Sequence, residues 1–289
     1  MKTKTCIIIS GATATGKTSY SLELAGKLNT QIISADSRQC FRELNIGVAK
    51  PSPADLNRIH HYFINSHSIH EEVNVKVFEQ YALNAVQAIF EKNDTAIVVG
   101  GTGLYIKSFA GGLDEVPPSD DAVRNEILVS YKKNGVEWLQ GEIKKRDEKY
   151  FSEGDMKNPQ RMMRALEVHC LSGKSILDFY TGKNVIRNFT IEHVHLDVPR
   201  PSLYERIDTR VDHMMEAGLL EEVKSLVSYR HLNALQTVGY KELFAYLDGN
   251  ISLAEAIDLI KKNTRHFAKR QVTWFKNQLT GIQNQPLGL

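Results

Sequence analysis

The sequence predicts an α/β fold of the P-loop NTPase-like type, in which a parallel sheet is flanked by helices and carries an all-helical insertion. Three observations lead to this prediction. Short apolar runs alternate with helical patterns, the first run leads into a glycine-containing loop that opens a helix, and strand signals disappear between residues 117 and 187. Strands that alternate with helices form parallel sheets covered on both faces.

Each strand is predicted from a short, nearly continuous run of apolar residues. The first run is β-branched, and the segment after its loop, residues 18–28, combines helix formers with helical apolar spacing. A second helix is predicted at residues 77–90, before the third strand. The predicted strands span residues 5–10, 31–35, 95–99 and 193–198.

The middle of the chain is predicted to be a separate helical region. After the break at Val116-Pro117-Pro118, charged helical patterns continue to about residue 187. We therefore assign residues 1–116 and 188–289 to the α/β core and residues 117–187 to a helical insertion. In the C-terminal helices, two pairs have capping-box spacing and two glycines are predicted helix ends: Ser202 with Glu205, Ser252 with Glu255, Gly218 and Gly249.

The composition is that of a folded protein without a membrane span. Apolar residues make up 42% of the 289 residues and the net charge is +2, which is ordinary for a globular protein. No apolar stretch approaches the roughly 18 residues that cross a bilayer, so we expect neither export nor a membrane partner, and a cytoplasmic location. The three cysteines, Cys6, Cys40 and Cys170, form no CxxC pair, and neither a redox motif nor a zinc site is expected.

The segment after the first strand matches GxxxxGK[ST] in the context that this motif requires, between a strand and a helix. Its backbone N–H groups can close around phosphate oxygens, Lys17 adds a positive charge, and Thr18 can offer a hydroxyl to Mg²⁺. A nucleoside triphosphate such as ATP and a prenyl diphosphate would bind such a loop alike. The predicted phosphate-binding residues are Gly11, Ala12, Thr13, Ala14, Thr15, Gly16, Lys17 and Thr18.

Asp36 follows the second predicted strand. Ligands of open parallel sheets bind beyond the carboxyl ends of the strands, so Asp36 should face the same crevice as the phosphate-binding loop. Its carboxylate could act as a general base, contact Mg²⁺ indirectly or cap a helix. The segment Gly100-Gly101-Thr102-Gly103 also follows a strand and is either a tight turn or a second wall of the site.

Two groups of cations could contact a nucleic acid. Arg161 and Arg164 share a helix face, where they could grip phosphates or pair with acids such as Glu167. The stretch after Asp258 has no acidic residue and is either a solvated helix face or a nucleic-acid contact. Its cations are Lys261, Lys262, Arg265, Lys269, Arg270 and Lys276. Four histidines lack convincing ligand spacing and are interpreted as structural or surface residues: His60, His61, His67 and His70.

As a set, these motifs resemble one family, the tRNA dimethylallyltransferases or tRNA isopentenyltransferases, of the bacterial type without a zinc finger. The matching segments cover nearly the whole chain. In order they are GATATGKT, ISADSRQCFRELNIGVAKP, VVGGTGLY, NPQRMMRALEVHCLSGKS, LYERIDTRVDHMMEAGLLEEV, TVGYKEL and TRHFAKRQVTWF. Ala12, Arg38 and Cys40 depart from the family's pattern.

The resemblance implies transfer of a dimethylallyl group from dimethylallyl diphosphate to N6 of adenine 37, next to the anticodon of certain tRNAs, with Mg²⁺ as cofactor and release of diphosphate. It places the diphosphate on the loop from Thr13 to Thr18, with Thr18 at the metal. Asp36 becomes the base, with Lys17 and Thr102 as further catalytic residues. We expect a monomer that binds the anticodon stem-loop. The implied tRNA contacts are Asp36, Ser37, Arg38, Gln39, Thr102, Arg124, Gln160, Arg161, Met162, Met163 and Arg164.

The chemistry of the reaction fits these residues. An exocyclic adenine amine is a poor nucleophile and needs a carboxylate to take its proton, a role for which Asp36 is placed. Three other functions remain open: a small-molecule kinase, prenyl transfer to free AMP or ADP, and a nucleotide-switched RNA-binding module. The helical insertion and the cationic C-terminal stretch favour a macromolecular acceptor.

Overall fold

A computed structural model of the chain describes residues 4–278. The chain divides into two compact units. The larger unit comprises the residues up to Gly111 and from Ile186 onward, and the smaller unit spans Gly112–Val185. The sequence placed the helical insertion at residues 117–187. Across the described part of the chain, none of the helices has the length and apolar character needed to span a bilayer.

Within residues 4–278, the larger unit is built on a five-stranded parallel sheet with the order β3-β2-β4-β1-β5. The strands are β1 (Thr5–Gly11), β2 (Ile32–Ser34), β3 (His61–Tyr62), β4 (Thr95–Gly100) and β5 (Thr190–Leu196). The α/β prediction and the four predicted strands are confirmed. Strand β3 has only two residues, too few for an apolar pattern, and the sequence did not predict it.

Helices connect the strands and continue after the last one. In chain order they are α1 (Lys17–Leu28), α2 (Pro53–Arg58), α3 (Val75–Phe90), α4 (Gly103–Gly111), α5 (Asp121–Arg146), α6 (Glu148–Glu153), α7 (Pro159–Ser172), α8 (Arg200–Glu216), α9 (Leu219–Ser225), α10 (Tyr240–Leu247) and α11 (Leu253–Gln278). Helices α5 to α7 belong to the smaller unit, and the others belong to the larger unit.

The sheet is buried on both faces because successive strand residues point in opposite directions. Ile8 and Val98 lie in the larger core with Phe78 of α3. Ile7 and its neighbours on the opposite face pack against Leu22 of α1. Burial on both sides explains why the strands appear in the sequence as continuous apolar runs rather than alternating ones.

The helix boundaries agree with most of the predicted signals. The Ser252–Glu255 capping box is present, with the Glu255 backbone N–H donating to Ser252 Oγ at 3.2 Å and the Ser252 N–H donating to the Glu255 carboxylate at 2.7 Å. Gly218 and Gly249 have φ angles of 99° and 74° and follow helix ends. The Ser202–Glu205 prediction is wrong because α8 begins earlier, at Arg200, with Pro201 in its first turn. Proline is well tolerated there.

The smaller unit has its own helical core. Buried residues from its helices pack together, among them Leu139 and Ile143 of α5 and Leu166 of α7. Helix α5 is interrupted at Gly135, whose φ of 78° and ψ of −169° are not helical. Glycine adopts this conformation without the steric cost that a side chain would bring.

Candidate active site

The phosphate-binding loop connects β1 to α1 and leaves the start of the helix open. Gly16 precedes α1 with a φ of 95°, and no side chain caps the helix or places an acid in its first turn. The first backbone N–H groups of a helix have no partner within it and carry the positive end of the dipole. Such a helix start can bind an anion, so this loop remains the candidate phosphate-binding site.

Lys17 lies at this helix start, partly withdrawn from water. Its Nζ donates to the Ala12 carbonyl at 2.5 Å. Desolvation lowers the pKa of Lys17 to about 8, while the nearby Asp36 carboxylate opposes the shift and Arg210 adds to it. An incoming anion would replace the lost solvation and favour the charged form of Lys17. The loop therefore holds a cation whose charge is most stable when an anion is bound.

Thr13 is held by two residues from the C-terminal helices. Its backbone N–H donates to Gln271 Oε1 at 2.8 Å, and its hydroxyl accepts from Arg210 Nη1 at 2.9 Å. Thr13 is one of the residues predicted to bind diphosphate, but its backbone N–H donates to the Gln271 side chain instead. Thr15 is also engaged, because its hydroxyl donates to the Ala12 carbonyl at 2.8 Å. The Thr15 hydroxyl is thus committed to the loop itself.

Asp36 lies just beyond β2, and its two carboxylate oxygens have different environments. Oδ1 accepts the backbone N–H groups of Arg38 at 2.8 Å and Gln39 at 3.3 Å, and so closes the following turn. None of the residues that the structure describes donates a hydrogen bond to Oδ2. Asp36 also lines the cavity described below. The capping interpretation therefore accounts for one oxygen and leaves the other for a ligand.

The residues after Asp36 brace the turn against its neighbours. The Ser37 N–H donates to Thr102 Oγ1 at 3.1 Å, and Arg38 Nη1 donates to the Asn233 carbonyl at 3.0 Å. The Gln39 amide accepts from Ser34 Oγ and donates to the Val48 and Ala49 carbonyls. The side chain of Gln39 is thereby committed to the chain itself.

The glycine segment after β4 forms a second wall of the site. A Cβ on Gly100 would lie 2.1 Å from the Ala35 carbonyl oxygen, and one on Gly101 would lie 2.4 Å from Gln271 Nε2. Gly100 lies against backbone and only glycine fits there, whereas a side chain at Gly101 would displace the end of the Gln271 side chain. The Thr102 N–H donates to the same Ala35 carbonyl at 3.2 Å. The segment therefore packs directly against the turn that carries Asp36.

These loops and the C-terminal helices surround an open cavity of about 830 Å³. The cavity brings together Lys17, Thr18, Asp36, Ser37, Arg38, Gln39 and Thr102. Several polar residues that the sequence did not single out also line it, namely Arg206, Arg210, Lys241 and Gln271. Arg206 and Arg210 are four residues apart and therefore lie on the same helix face. Their spacing does not reveal which part of the fold this face contacts. Apolar side chains, including Met214, Leu219 and Phe267, complete the lining.

The donors for a divalent metal are limited. The described residues contain no cluster of three or more His, Cys, Asp or Glu side chains suited to a metal. Thr18 is exposed at the mouth of the anion site. A hydroxyl beside a phosphate-binding loop fits Mg²⁺, which retains several waters and is held largely by substrate phosphates. The histidines make local contacts instead; His61 Nδ1, for example, is 2.7 Å from the Ile59 carbonyl oxygen.

Five of the residues implied for tRNA contact lie in α7 and one, Arg124, lies in the first turn of α5. Arg124, Gln160 and Arg161 are exposed. Arg161 pairs with Asp155 at 2.9 Å, and Arg164 pairs with Glu167 at 2.9 Å and also donates to the Pro117 carbonyl.

Met162 and Met163 differ in their exposure. Met162 is 0% exposed, in the core of the smaller unit, so its side chain supports α7 and is unavailable for a contact. Met163 is half-buried against the same core. Of the two methionines, only Met163 has a side chain that a partner could reach.

The cations of α11 fall into two groups. Lys261 pairs with Asp212 at 2.6 Å, and Arg265 pairs with Asp208 at 2.6 Å. Lys262, Lys269, Arg270 and Lys276 are exposed, and Arg270 also lies over the Phe267 ring. The first group joins α11 to α8, whereas the second group presents positive charge to solvent.

The sequence and the structure are similar to those of known proteins. A family model described as IPP transferase matches residues 39–278. The tRNA dimethylallyltransferases of Cytophaga hutchinsonii and Flavobacterium johnsoniae are 43% and 46% identical to the chain, and each alignment covers 94% of the chain and 90% of the relative.

Two solved structures share the fold along most of the chain. The full-length tRNA isopentenylpyrophosphate transferase from Bacillus halodurans has a TM-score of 0.68 at 35% identity, covering 95% of this chain and 88% of that one. A eukaryotic dimethylallyltransferase described as acting on tRNA has a TM-score of 0.79 at 28% identity, covering 94% of this chain and 70% of that one.

Proposed function

Because the chain belongs to the IPP transferase family, we propose that it is a tRNA dimethylallyltransferase. It transfers a dimethylallyl group from dimethylallyl diphosphate to N6 of adenine 37, next to the anticodon of certain tRNAs, and releases diphosphate. The observation that carries the proposal is the shared cavity, which both Lys17 of the phosphate-binding loop and Asp36 line.

The reaction forms one bond and breaks another at the same carbon. The adenine N6 forms a C–N bond to C1 of the dimethylallyl group as the C–O bond to diphosphate breaks. The amine lone pair is delocalised into the ring, so N6 becomes an adequate nucleophile only as it loses a proton. Asp36 Oδ2 accepts that proton, while Oδ1 stays bound to the turn and fixes the orientation of the carboxylate.

The leaving diphosphate gathers negative charge as the C–O bond breaks. The N–H groups at the start of α1 and the Lys17 ammonium lie in the phosphate-binding loop and can stabilise that charge. Bound Mg²⁺, held at Thr18 and by the diphosphate oxygens, would neutralise further charge on the leaving group. Lys17 and Thr18 are thus the residues of this chain that hold the leaving group.

The tRNA must present a base that is normally stacked in the anticodon loop. Drawing a base out costs a few kcal/mol, which contacts to the backbone and to neighbouring bases offset. We assign such contacts to the turn from Asp36 to Gln39, to Thr102, and to Arg124, Gln160, Arg161, Met163 and Arg164 of the smaller unit. Arg38 and Thr102 lie in the cavity itself. The enzyme acts as a monomer in the cytoplasm, where its acceptor is made.

A transfer assay tests the proposal. The protein and Mg²⁺ are incubated with labelled dimethylallyl diphosphate or with ATP labelled in its terminal phosphate, each in the presence of tRNA or AMP. We expect label only in tRNA, only from the prenyl donor, and located at adenine 37 after nuclease digestion. Label in AMP would identify prenyl transfer to a free nucleotide, and phosphate transfer from ATP would identify a kinase. Either result would replace the proposed function.

A further inference from the structure

Gln271 of α11 connects the two loops that bear the reacting groups. Its side chain is 8% exposed. Oε1 accepts the Thr13 N–H at 2.8 Å, and Nε2 donates to the Gly101 carbonyl at 2.9 Å. Both ends of the carboxamide are therefore used, one on the phosphate-binding loop and one on the glycine segment after β4.

Gln271 makes its two hydrogen bonds just beyond the point where β1 and β4 stop pairing. The pairing of β1 with β4 ends at Ser10 and Gly100, and beyond this point the two strands lead into different loops. A carboxamide offers the same N–H donor and carbonyl acceptor as a peptide unit. Gln271 thus supplies one more hydrogen-bonded link between the phosphate-binding loop and the glycine segment, beyond the point where the strands stop pairing.

Hydrogen bonds continue from Gly101 to the proposed base. The next residue, Thr102, accepts the Ser37 N–H on its hydroxyl at 3.1 Å and donates its own N–H to Ala35 at 3.2 Å. Ala35 and Ser37 flank Asp36. On the other side, Thr13 begins the loop that leads to Lys17. Gln271 is therefore the link between the leaving-group side and the base side of the cavity.

We infer that Gln271 is a positioning residue for the transfer reaction, setting the distance between the phosphate-binding loop and the turn that carries Asp36. This inference rests on the proposed function. The attacking nitrogen, the transferred carbon and the leaving oxygen must be aligned with reacting atoms about 3 to 3.5 Å apart, and a misplacement of about 1 Å costs on the order of 100-fold in rate. Gln271 itself touches neither reacting group.

The first test compares Gln271→Met with Phe275→Leu, a control that places a smaller side chain at another buried position of the same helix. We expect Gln271→Met to lower the single-turnover rate at saturating substrates by roughly 10- to 100-fold. The affinities for inorganic diphosphate and for tRNA should change by less than about threefold, since the groups that bind them remain. Phe275→Leu should keep its rate at a temperature where it is folded. A Gln271→Met rate within about threefold of wild type, or a loss explained by weaker diphosphate binding, would overturn the inference.

Gln271→Glu adds a readout that depends on pH. A carboxylate still accepts the Thr13 N–H but repels the Gly101 carbonyl, whereas a protonated carboxyl group can satisfy both. The ratio of the Gln271→Glu rate to the wild-type rate should therefore rise as the pH falls through the range in which this carboxyl group is protonated. Division by the wild-type rate removes the titration of Asp36. A ratio that does not change with pH contradicts the inference.

Hydrogen exchange measures the link without any activity. In wild-type protein the Thr13 amide should be protected, and Gln271→Met should speed exchange in peptides that cover the phosphate-binding loop and residues 100–103, whereas Phe275→Leu should not. Unchanged exchange in Gln271→Met would rule out the link. If wild-type protein fails to modify tRNA, the proposed function fails, and the exchange result still decides whether Gln271 holds the two loops together.

Discussion

At the scale of single residues, the site combines a carboxylate and an ammonium group that are both only partly engaged. Asp36 uses Oδ1 to close its own turn and is one of the residues that line the cavity. Lys17 is desolvated and is bound to a carbonyl rather than to an acid. Each group can therefore interact more strongly as the reaction proceeds, Asp36 by taking up a proton and Lys17 by facing the growing charge of the leaving group, and such interactions favour the transition state.

The first prediction is that Asp36→Asn abolishes proton transfer and leaves the fold intact. The amide oxygen still caps the turn at Arg38 and Gln39, but the other position can no longer accept a proton. The single-turnover rate should fall by roughly 10² to 10⁴, while tRNA affinity stays close to wild type. Asp55→Asn is the control variant. It also removes one negative charge, but Asp55 lies in α2 and does not line the cavity.

Two outcomes would contradict a base at Asp36. A near-normal rate would leave only the capping role. Recovery of most of the activity at high Mg²⁺ would indicate that the carboxylate acts through the metal.

The second prediction concerns the pH dependence of donor binding. Diphosphate favours charged Lys17, so binding should be strongest below the free-enzyme pKa of about 8 and weaken as the pH rises above it, by up to tenfold per unit. Calorimetry with dimethylallyl diphosphate, in the absence of tRNA, measures this between about pH 7 and about pH 9.5. Lys17→Met should bind more weakly with little pH dependence in that range. An equally steep decline in this variant would assign the titration to another group.

At the scale of helices and strands, the sequence was most informative where one physical rule acts alone. Buried strands produced apolar runs, and the Ser252–Glu255 box marked the start of α11. Strand β3 was too short to produce a pattern, and Pro201 allowed α8 to begin before Ser202.

The contribution of the C-terminal helices to the site could not be predicted from the sequence. Arg210 and Gln271 contact Thr13 across 197 and 258 residues of sequence. Helical spacing shows which side chains share a face, but not what that face meets. Lys17 and Asp36 were predictable because a motif and a strand end place them directly.

The third prediction separates the two groups of cations on α11. Lys269→Gln and Lys276→Gln remove exposed charges, and each lost phosphate contact should reduce the slope of log affinity for tRNA against log salt by about one. Lys261→Gln removes a cation that already pairs with Asp212 and should leave the slope nearly unchanged. If all three variants lower the slope equally, the tRNA responds to the overall positive charge of α11 rather than to particular lysines. If Lys269→Gln and Lys276→Gln leave the slope unchanged, this face of α11 does not contact the tRNA.

At the scale of the whole molecule, each compact unit has a core of its own. The sheet and its helices bury one set of residues, and α5 to α7 bury another. The smaller unit is inserted between α4 and β5, so the chain leaves the sheet and later returns to complete it. Lys17 and Thr18, the residues proposed to hold the leaving group, belong to the larger unit.

The fourth prediction is that diphosphate stabilises the two units unequally. A ligand that binds the native state at 100 times its Kd adds about 2.7 kcal/mol of stability to the unit that binds it. Hydrogen exchange with and without inorganic diphosphate should therefore slow in the larger unit and remain unchanged at residues 112–185. Equal slowing in both would show that the two cores unfold together.

The bond between Thr13 and Gln271 also relates catalysis to the order of synthesis. A ribosome adds roughly 5 to 20 residues per second, so the 258 residues between the two partners take on the order of 15 to 50 s. During that time the phosphate-binding loop already exists but lacks its link to the opposite wall of the cavity. A polypeptide released before α11 is made would lack Gln271 and also Ala256, Ile260 and Phe275, which α11 adds to the larger core. The bond between Thr13 and Gln271 can therefore form only after nearly all of the described chain has been translated.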